Sequence, residues 1–199
     1  MEVYEAVAKR RSIRRFKDTA VPYEVLEKCA DAGRLAPSAR NRQLCEYIIV
    51  GDEQLLPKMF GGITMWAGQA RAKGDPLPEH PPKAYIIMLI NSRLEAEFGG
   101  TRSTTTYDVG LSAENMILVA LEQGVGACPI LSFDENELKR SLNIPDNYDI
   151  ALVLALGYPD ESPVPEVSVG PIQYWIDSQG VRHVPKRKLE DILHRNKFP

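Results

Sequence analysis

The stretch TTTYDVGLSAENMILVALEQ at residues 104–123 decides the fold. Apolar residues recur along it at helical spacing and Gly124 follows it, which predicts the longest helix of the chain. Its apolar surface is formed by Val109, Leu111, Ala113, Met116, Ile117, Leu118, Val119, Ala120 and Leu121. A helix this apolar is buried on several sides, and one domain of 199 residues does not cover all of them. The simplest explanation of the remaining apolar surface is a dimer interface, because the interfaces of obligate dimers are apolar, like a protein core.

Shorter patterns surround this helix and predict a sheet. Helical spacing predicts helices at residues 2–9, 19–35 and 135–142. Continuous apolar runs predict buried strands at 47–50, 85–90 and 150–156, and a short strand is expected at 127–131. Residues 38–46 are polar and irregular, and the Gly/Pro-rich stretch 61–83 is a loop with one turn of helix at Met65-Trp66. The irregular alternation predicts an α+β fold, a sheet packed by helices, and not a doubly wound parallel sheet.

The C-terminal part is less apolar and richer in turns. A Pro-rich linker covers residues 159–171, a hairpin is expected from 173–176 and 181–184, and a last helix at about 187–196. We expect one domain over residues 1–199. Within it, 61–83 is a variable, lid-like loop and about 160–199 form a C-terminal extension.

Composition excludes several classes of partner. The formal net charge is -3, which does not favour nucleic acid or an anionic membrane. The cysteines Cys29, Cys45 and Cys128 form no disulfide framework, as expected for a reducing, cytoplasmic setting. No apolar stretch approaches the ~20 residues of a membrane-spanning helix. The three scattered histidines fit no metal spacing, so no metal site is expected.

The first polar cluster is Lys9-Arg10-Arg11-Ser12-Ile13-Arg14-Arg15, directly after the first helix. Arginine binds phosphate oxygens in bidentate fashion, and a serine hydroxyl adds a donor. The alternative, which such a run by itself favours, is a solvated basic patch or a nuclear-localisation-like run. The cluster therefore predicts an anion site only together with other segments.

Two further polar clusters lie on predicted loops or helix starts. Residues 36–43, APSARNRQ, supply donors and acceptors that suit a ring with carbonyl and N–H groups, such as a flavin pyrimidine. The alternative is an ordinary helix-to-strand connection. Residues 185–188, PKRK, place cations at the start of the last predicted helix, where they oppose the helix dipole. A nearby phosphate explains them, and so does plain surface charge.

Together these segments resemble the FMN-dependent nitroreductase family. Arg10-Arg11-Ser12-Ile13-Arg14 is similar to the family's opening signature, and Ala36 to Gln43 to its APSxxNxQ loop. Gly124 to Ile130 is similar to its GxG strand segment, and Leu156-Gly157-Tyr158-Pro159 to its LGYP turn. The four matches occur in the same order and cover nearly the whole chain.

The resemblance implies a domain-swapped α+β homodimer with a central mixed or antiparallel sheet and FMN at the interface. The C-terminal extension is then expected to cross to the partner subunit. The resemblance assigns cofactor binding to four sets of residues. They are Arg10, Arg11, Ser12 and Arg14; Pro37, Ser38, Ala39, Asn41 and Gln43; Pro129, Ile130, Leu131 and Ser132; and Lys186, Arg187 and Lys188. Phe60, Met65, Trp66 and Arg71 are acceptor-pocket candidates, although Trp66 is equally explained as a packing residue.

The implied function is an FMN-dependent oxidoreductase that takes reducing equivalents from NAD(P)H. It passes them through flavin N5 to a nitroaromatic, quinone or similar acceptor in a ping-pong cycle. No side chain need act as nucleophile or base, because the cofactor carries the chemistry. Two alternatives stay open. One is reductive dehalogenation or flavin fragmentation on the same scaffold, and the other is a non-enzymatic dimer that binds an anion or a protein.

Overall fold

The computed structural model describes residues 1–99 and 101–198, apart from the side chains of residues 102 and 103. The chain divides into two compact units, Met1–Asp160 and a second that begins at Glu161. None of the described helices is long and apolar enough to cross a membrane.

A four-stranded antiparallel sheet forms the centre of the first unit. Its strands are β1 (Cys45–Val50), β4 (Ala84–Asn91), β5 (Gly126–Ile130) and β6 (Tyr148–Gly157). They are arranged in the order β1-β4-β6-β5. A separate two-stranded hairpin joins β2 (Met65–Trp66) to β3 (Gln69–Ala70). The expected α+β sheet is confirmed in its antiparallel form.

Helices cover both faces of this sheet. They are α1 (Val3–Lys9), α2 (Tyr23–Arg34), α3 (Leu56–Gly61), α4 (Ser92–Glu97), α5 (Arg102–Glu122) and α6 (Glu135–Leu142). The central strand β4 is buried at every position, and its side chains alternate between the two faces. Tyr85 and Ile87 pack in a cluster with residues of α3 and α6. Ile86 and Met88 pack in a second cluster with residues of α2 and α5.

The long predicted helix is confirmed as α5. A capping box between Thr101 and Thr104 begins it, and Gly124, with φ 74°, lies in the left-handed turn that follows it. Its buried stripe faces the sheet, whereas Tyr107 and Leu111 are exposed in the single chain.

The second unit is a small three-stranded sheet. Strand β9 (Arg182–Lys186) lies in the middle, parallel to β7 (Val164–Val167) and antiparallel to β8 (Trp175–Ile176). The predicted hairpin is therefore confirmed, with a shorter first strand and a second strand that continues to Lys186. The predicted linker 159–171 contains β7, which the sequence pattern did not indicate.

The predicted last helix, 187–196, is wrong. Only a 3-10 turn at Leu189–Asp191 forms there. Its apolar residues Ile192 and Leu193 stay exposed, so no packed face stabilises a segment shorter than the ~12 residues at which isolated helices become marginal.

Three other local predictions need correction. Met65-Trp66 is a strand and not a turn of helix, because Ala67 and Gly68 both have positive φ and form a tight two-residue turn.

The irregular stretch 38–46 ends two residues early, since Cys45 and Glu46 already pair with β4. The strand predicted as buried at 47–50 is buried only at Val50 and half-buried at 47–49, because β1 lies at the sheet edge. Helices α3 and α4 were not predicted.

Candidate functional site

The first polar cluster, residues 9–15 (the cationic segment), lies along the outer edge of strand β5. Ser12 forms a parallel bridge with Ala127, and the Ile13 amide donates to the Ala127 carbonyl at 3.0 Å. Side chains alternate in such an extended segment. Ile13 is buried, whereas Ser12 and Arg14 are half-buried and share the opposite side.

Two glycines allow the segment to approach the sheet this closely. Gly126 and Gly157 are paired across β5 and β6. A Cβ atom on Gly126 would lie 2.6 Å from Ile13 Cγ1, and one on Gly157 would lie 2.7 Å from Phe16 Cδ1. Three of the four sequence segments that suggested the family therefore meet at one packing site.

The side chains of this segment form a donor-rich surface. Arg10 Nε lies 3.3 Å from Glu114 Oε1, and Arg14 Nη1 lies 3.5 Å from the Ser12 carbonyl. Arg11 donates to the Arg10 carbonyl, and its buried Nε has no hydrogen-bond partner among the described residues. Burial, and then the charge of Arg10, lower the pKa of Arg11. Guanidinium donors, a hydroxyl and an unpaired N–H fit a dianionic phosphate.

The loop 36–43 adopts an unusual backbone. It contains a 3-10 turn at Ala39–Asn41, and Arg40, Asn41 and Gln43 have φ of 56°, 54° and 52°. Ser38 Oγ accepts from the Gln43 amide at 3.1 Å. Pro37, Asn41 and Gln43 are exposed, and Ser38 and Ala39 are half-buried. The loop thus presents its polar groups to solvent.

The segment after β5 is coupled to the 61–83 loop. The Thr64 amide donates to the Ser132 carbonyl at 3.0 Å, and Ile63 bridges Phe133. Pro129 and Leu131 are exposed and Ile130 is buried. The start of the loop is therefore attached to the predicted flavin-facing residues.

The four acceptor-pocket candidates occupy different environments. Phe60 and Trp66 are buried and pack edge to face, with ring centroids 5.4 Å apart. Arg71 lies 4.2 Å above the Phe60 ring. Met65 is exposed and directly follows Thr64. Packing in the core accounts for Phe60 and Trp66, whereas Met65 is free to contact a ligand.

A cavity of the first unit lies away from the predicted flavin residues. Its volume is about 540 Å³, and its described lining includes Phe60, Tyr85 and Lys83 but none of the predicted flavin residues. In the second unit, Arg187 and Lys188 line a cavity of about 420 Å³. Arg187 donates to the Asp191 carbonyl at 3.0 Å.

The basic run of the second unit needs one correction. Lys186 ends strand β9, and the structure has no helix from 187 to 196. The helix-dipole argument for an anion at Lys186, Arg187 and Lys188 is therefore wrong. The convergence of these residues with Arg10, Ser12 and Arg14 on one phosphate stays a prediction.

Sequence reasoning missed two carboxylates of helix α5. Asp108 accepts from the Ala39 amide at 3.0 Å, and Glu114 pairs with Arg10. A signal existed for the first. Thr105, Asp108 and Ser112 are polar residues at positions i, i+3 and i+7 of an otherwise apolar helix stripe, which indicates buried polar contacts.

The family of the chain is shown by comparison with known proteins. The model of the Nitroreductase family matches residues 7–158. The chain belongs to the nitroreductase family. Members of this family use FMN and NAD(P)H, and homologues of the chain are named as oxidoreductases.

Individual relatives cover most of the chain. A Methanothermobacter thermautotrophicus protein with the provisional name NADH dehydrogenase/NAD(P)H nitroreductase is 30% identical over 82% of this chain and 80% of its own length. An iodotyrosine deiodinase of Thermotoga neapolitana is 27% identical over 80% and 89% of the two chains. The crystal structure of a nitroreductase family protein from Clostridium novyi NT superposes with a TM-score of 0.67, at 29% identity, over 80% of this chain and 87% of that one.

Proposed function

We propose that the chain binds FMN and transfers reducing equivalents from NAD(P)H to a small acceptor, such as a nitroaromatic or a quinone. One observation carries this proposal. Residues 12–13 pair with strand β5 at Ala127. The cationic segment therefore lies beside the strand that continues to the predicted flavin-contacting residues 129–132. FMN, when bound, supplies the redox chemistry.

The cationic segment is proposed to hold the phosphate. Arg10, Ser12 and Arg14 are half-buried and supply guanidinium and hydroxyl donors. The unpaired buried Nε of Arg11 supports an acceptor in this region, because an unsatisfied buried donor is costly. Lys186, Arg187 and Lys188 are proposed to add positive charge from the C-terminal extension.

The loop 36–43 is proposed to recognise the flavin ring at the site of the partner subunit. Ser38, Asn41 and Gln43 offer both donors and acceptors, and their loop is open to solvent at Asn41 and Gln43. Family members are generally dimeric. A homodimer with the C-terminal extension crossing to the partner completes the expected site.

The acceptor is proposed to enter beside Leu131 and Met65. Both side chains are exposed, and the Thr64–Ser132 hydrogen bond holds their segments together. An open apolar wall admits flat molecules of several kinds. NAD(P)H and the acceptor are proposed to occupy this space in turn. This ping-pong scheme predicts parallel lines in double-reciprocal plots of initial rate against substrate concentration.

Two measurements on the wild-type protein test the proposal. Apo-protein titrated with FMN is expected to bind it, and the holoprotein mixed anaerobically with NADH or NADPH is expected to bleach. A nitroaromatic or a quinone should then restore the flavin absorbance. A protein that takes up no FMN contradicts the proposal.

Replacing Arg10 by Ala tests the phosphate site. Loss of a charge-assisted hydrogen bond costs about 1.5–3 kcal/mol, so FMN affinity should fall roughly 10- to 150-fold. Arg15→Ala is the matched control, because Arg15 points to Asp160 at 3.9 Å and is exposed. Equal affinity for FMN in the wild type and Arg10→Ala would rule out this role.

A second candidate, reductive dehalogenation, is favoured by the similarity to iodotyrosine deiodinases. The same FMN site serves either reaction. Pre-reduced holoprotein mixed anaerobically with an iodinated phenol separates the two. Release of iodide faster than reduction of a nitroaromatic supports dehalogenation, and no iodide release excludes it for that substrate.

A further inference from the structure

The loop 36–43 is held in a conformation that its residues do not favour. Arg40, Asn41 and Gln43 are non-glycine residues with positive φ within four positions. The left-handed region brings Cβ close to the following carbonyl, and Asn tolerates it better than Arg or Gln does. Specific contacts must therefore select this conformation.

Side-chain packing beneath the loop 36–43 does not by itself explain the conformation of its backbone. A cavity of about 140 Å³ lies behind the loop and is lined by Ser38, Gln43, Tyr47, Asp108 and Ser112. Polar contacts within the loop and from helix α5 hold the loop in this conformation. Within the loop, Ser38 Oγ accepts from the Gln43 amide, and the Asn41 amide donates to the Ser38 carbonyl at 2.9 Å.

Helix α5 provides the contact at the start of the turn. Asp108 is 6% exposed, and its Oδ1 accepts from the Ala39 amide at 3.0 Å. A carboxylate acceptor makes a stronger hydrogen bond than a neutral one. Ala39 is the first residue of the 3-10 turn, so this bond sets where the left-handed residues begin.

We propose that Asp108 is a positioning residue for flavin recognition: its buried carboxylate fixes the Ala39 amide and so presents Asn41 and Gln43 to the ring. This inference rests on the proposed function, because the loop must contact FMN. Asp108 itself lies behind the loop and acts through its backbone.

Three variants separate the hydrogen bond from other roles of the side chain. Asp108→Leu removes the acceptor, and Asp108→Asn keeps an acceptor oxygen. Ala39→Pro removes the donor without touching Asp108. Proline suits this position because Ser38 is extended, with φ -132° and ψ 151°, and Ala39 is the first residue of its turn.

The readouts are the FMN dissociation constant and the visible spectrum of bound flavin. Asp108→Leu and Ala39→Pro should each raise the dissociation constant about tenfold and shift the spectrum towards that of free FMN. Asp108→Asn should stay within about twofold of the wild type. The double variant Asp108→Leu/Ala39→Pro should bind no worse than either single variant, because both remove the same bond.

Ser112→Ala is the matched control. Ser112 is also buried in α5, but its hydroxyl contacts Tyr47 at 2.8 Å and the Gly33 carbonyl at 3.1 Å. Its thermal stability should fall while FMN affinity stays unchanged.

The inference is overturned if folded Asp108→Leu or Ala39→Pro binds FMN as the wild type does. It is also overturned if Asp108→Asn is not better than Asp108→Leu, or if Ser112→Ala loses as much affinity. Should Asp108→Leu not fold, Ala39→Pro and Asp108→Asn decide the matter. Failure of the wild type to bind FMN would overturn the proposed function as well, whereas a binding-competent Asp108→Leu overturns this inference alone.

Discussion

At Gly157, a single absent side chain lets the N-terminal segment pack on the sheet. An added Cβ would lie 2.7 Å from Phe16 Cδ1 and 3.0 Å from Phe16 Cβ, which belongs to a buried residue. Gly157→Ala is expected to destabilise the protein by about 1–3 kcal/mol through overpacking, measured by denaturant unfolding. Gly61→Ala is the control, because its Cβ would meet nothing within 4 Å. Equal stability of both variants would contradict this account.

His183 is expected to make the stability of the second unit depend on pH. Its Nδ1 lies 3.2 Å from Glu166 Oε2, its Nε2 lies 3.3 Å from Asp177 Oδ2, and its ring stacks on Trp175. Burial alone would lower the pKa of His183, but the hydrogen bonds to Asp177 and Glu166, with their charges, raise it above its ordinary value.

The direction of the pH effect follows from this raised pKa. The contribution of His183 is fully present below the unfolded value of about 6.5 and is lost as pH rises through the folded pKa. The unfolding temperature of the wild type should exceed that of His183→Gln most at acidic pH, and the difference should shrink towards alkaline pH. His194→Gln serves as the control, because the His194 ring lies against the aromatic ring of Phe198. A difference that grows with pH would reject this assignment.

Among the elements, helix α5 contacts two of the segments that are predicted to bind the cofactor. It holds Arg10 through Glu114 and the loop 36–43 through Asp108. Its N-terminus is closed by the Thr101–Thr104 capping box, in which the Thr104 amide donates to Thr101 Oγ1. The position of this helix therefore couples two segments that are distant in sequence.

Removing the cap should loosen the start of α5. Thr101→Ala is expected to lose about 1 kcal/mol of unfolding free energy, because it leaves helix N–H groups without an acceptor. Thr101→Ser keeps the oxygen and should retain most of the stability. Similar losses in both variants would show that the cap oxygen contributes little.

Whole-molecule behaviour is expected to depend on the outward face of α1 and α5. Val3, Tyr4, Tyr107 and Leu111 are exposed in the single chain, and we expect the dimer interface to cover them. We predict that Leu111→Glu yields a monomer in light scattering and loses FMN. Leu77→Glu is the control, since Leu77 is 45% exposed and Leu111 is 49% exposed. A Leu111→Glu protein that remains dimeric would contradict the predicted dimer interface.

The amino-acid sequence by itself determined the α+β class, the long helix, the four strands of the central sheet and the family. These features depend on local periodicity and on short motifs, both of which involve residues that are close together in the sequence. The last predicted helix, 187–196, shows the limit of this reasoning. Whether a helix forms there depends on packing against other elements, which the sequence pattern does not reveal.

Only the tertiary structure decided which distant residues meet. It placed Ile13 against Gly126, Phe16 against Gly157, and Asp108 beneath Ala39. It also separated Phe60 and Trp66, which are packed in the core, from the exposed Met65. The physical reason is that close approach and buried hydrogen bonds join residues far apart in the chain, whereas sequence periodicity reports only which face of an element turns inward.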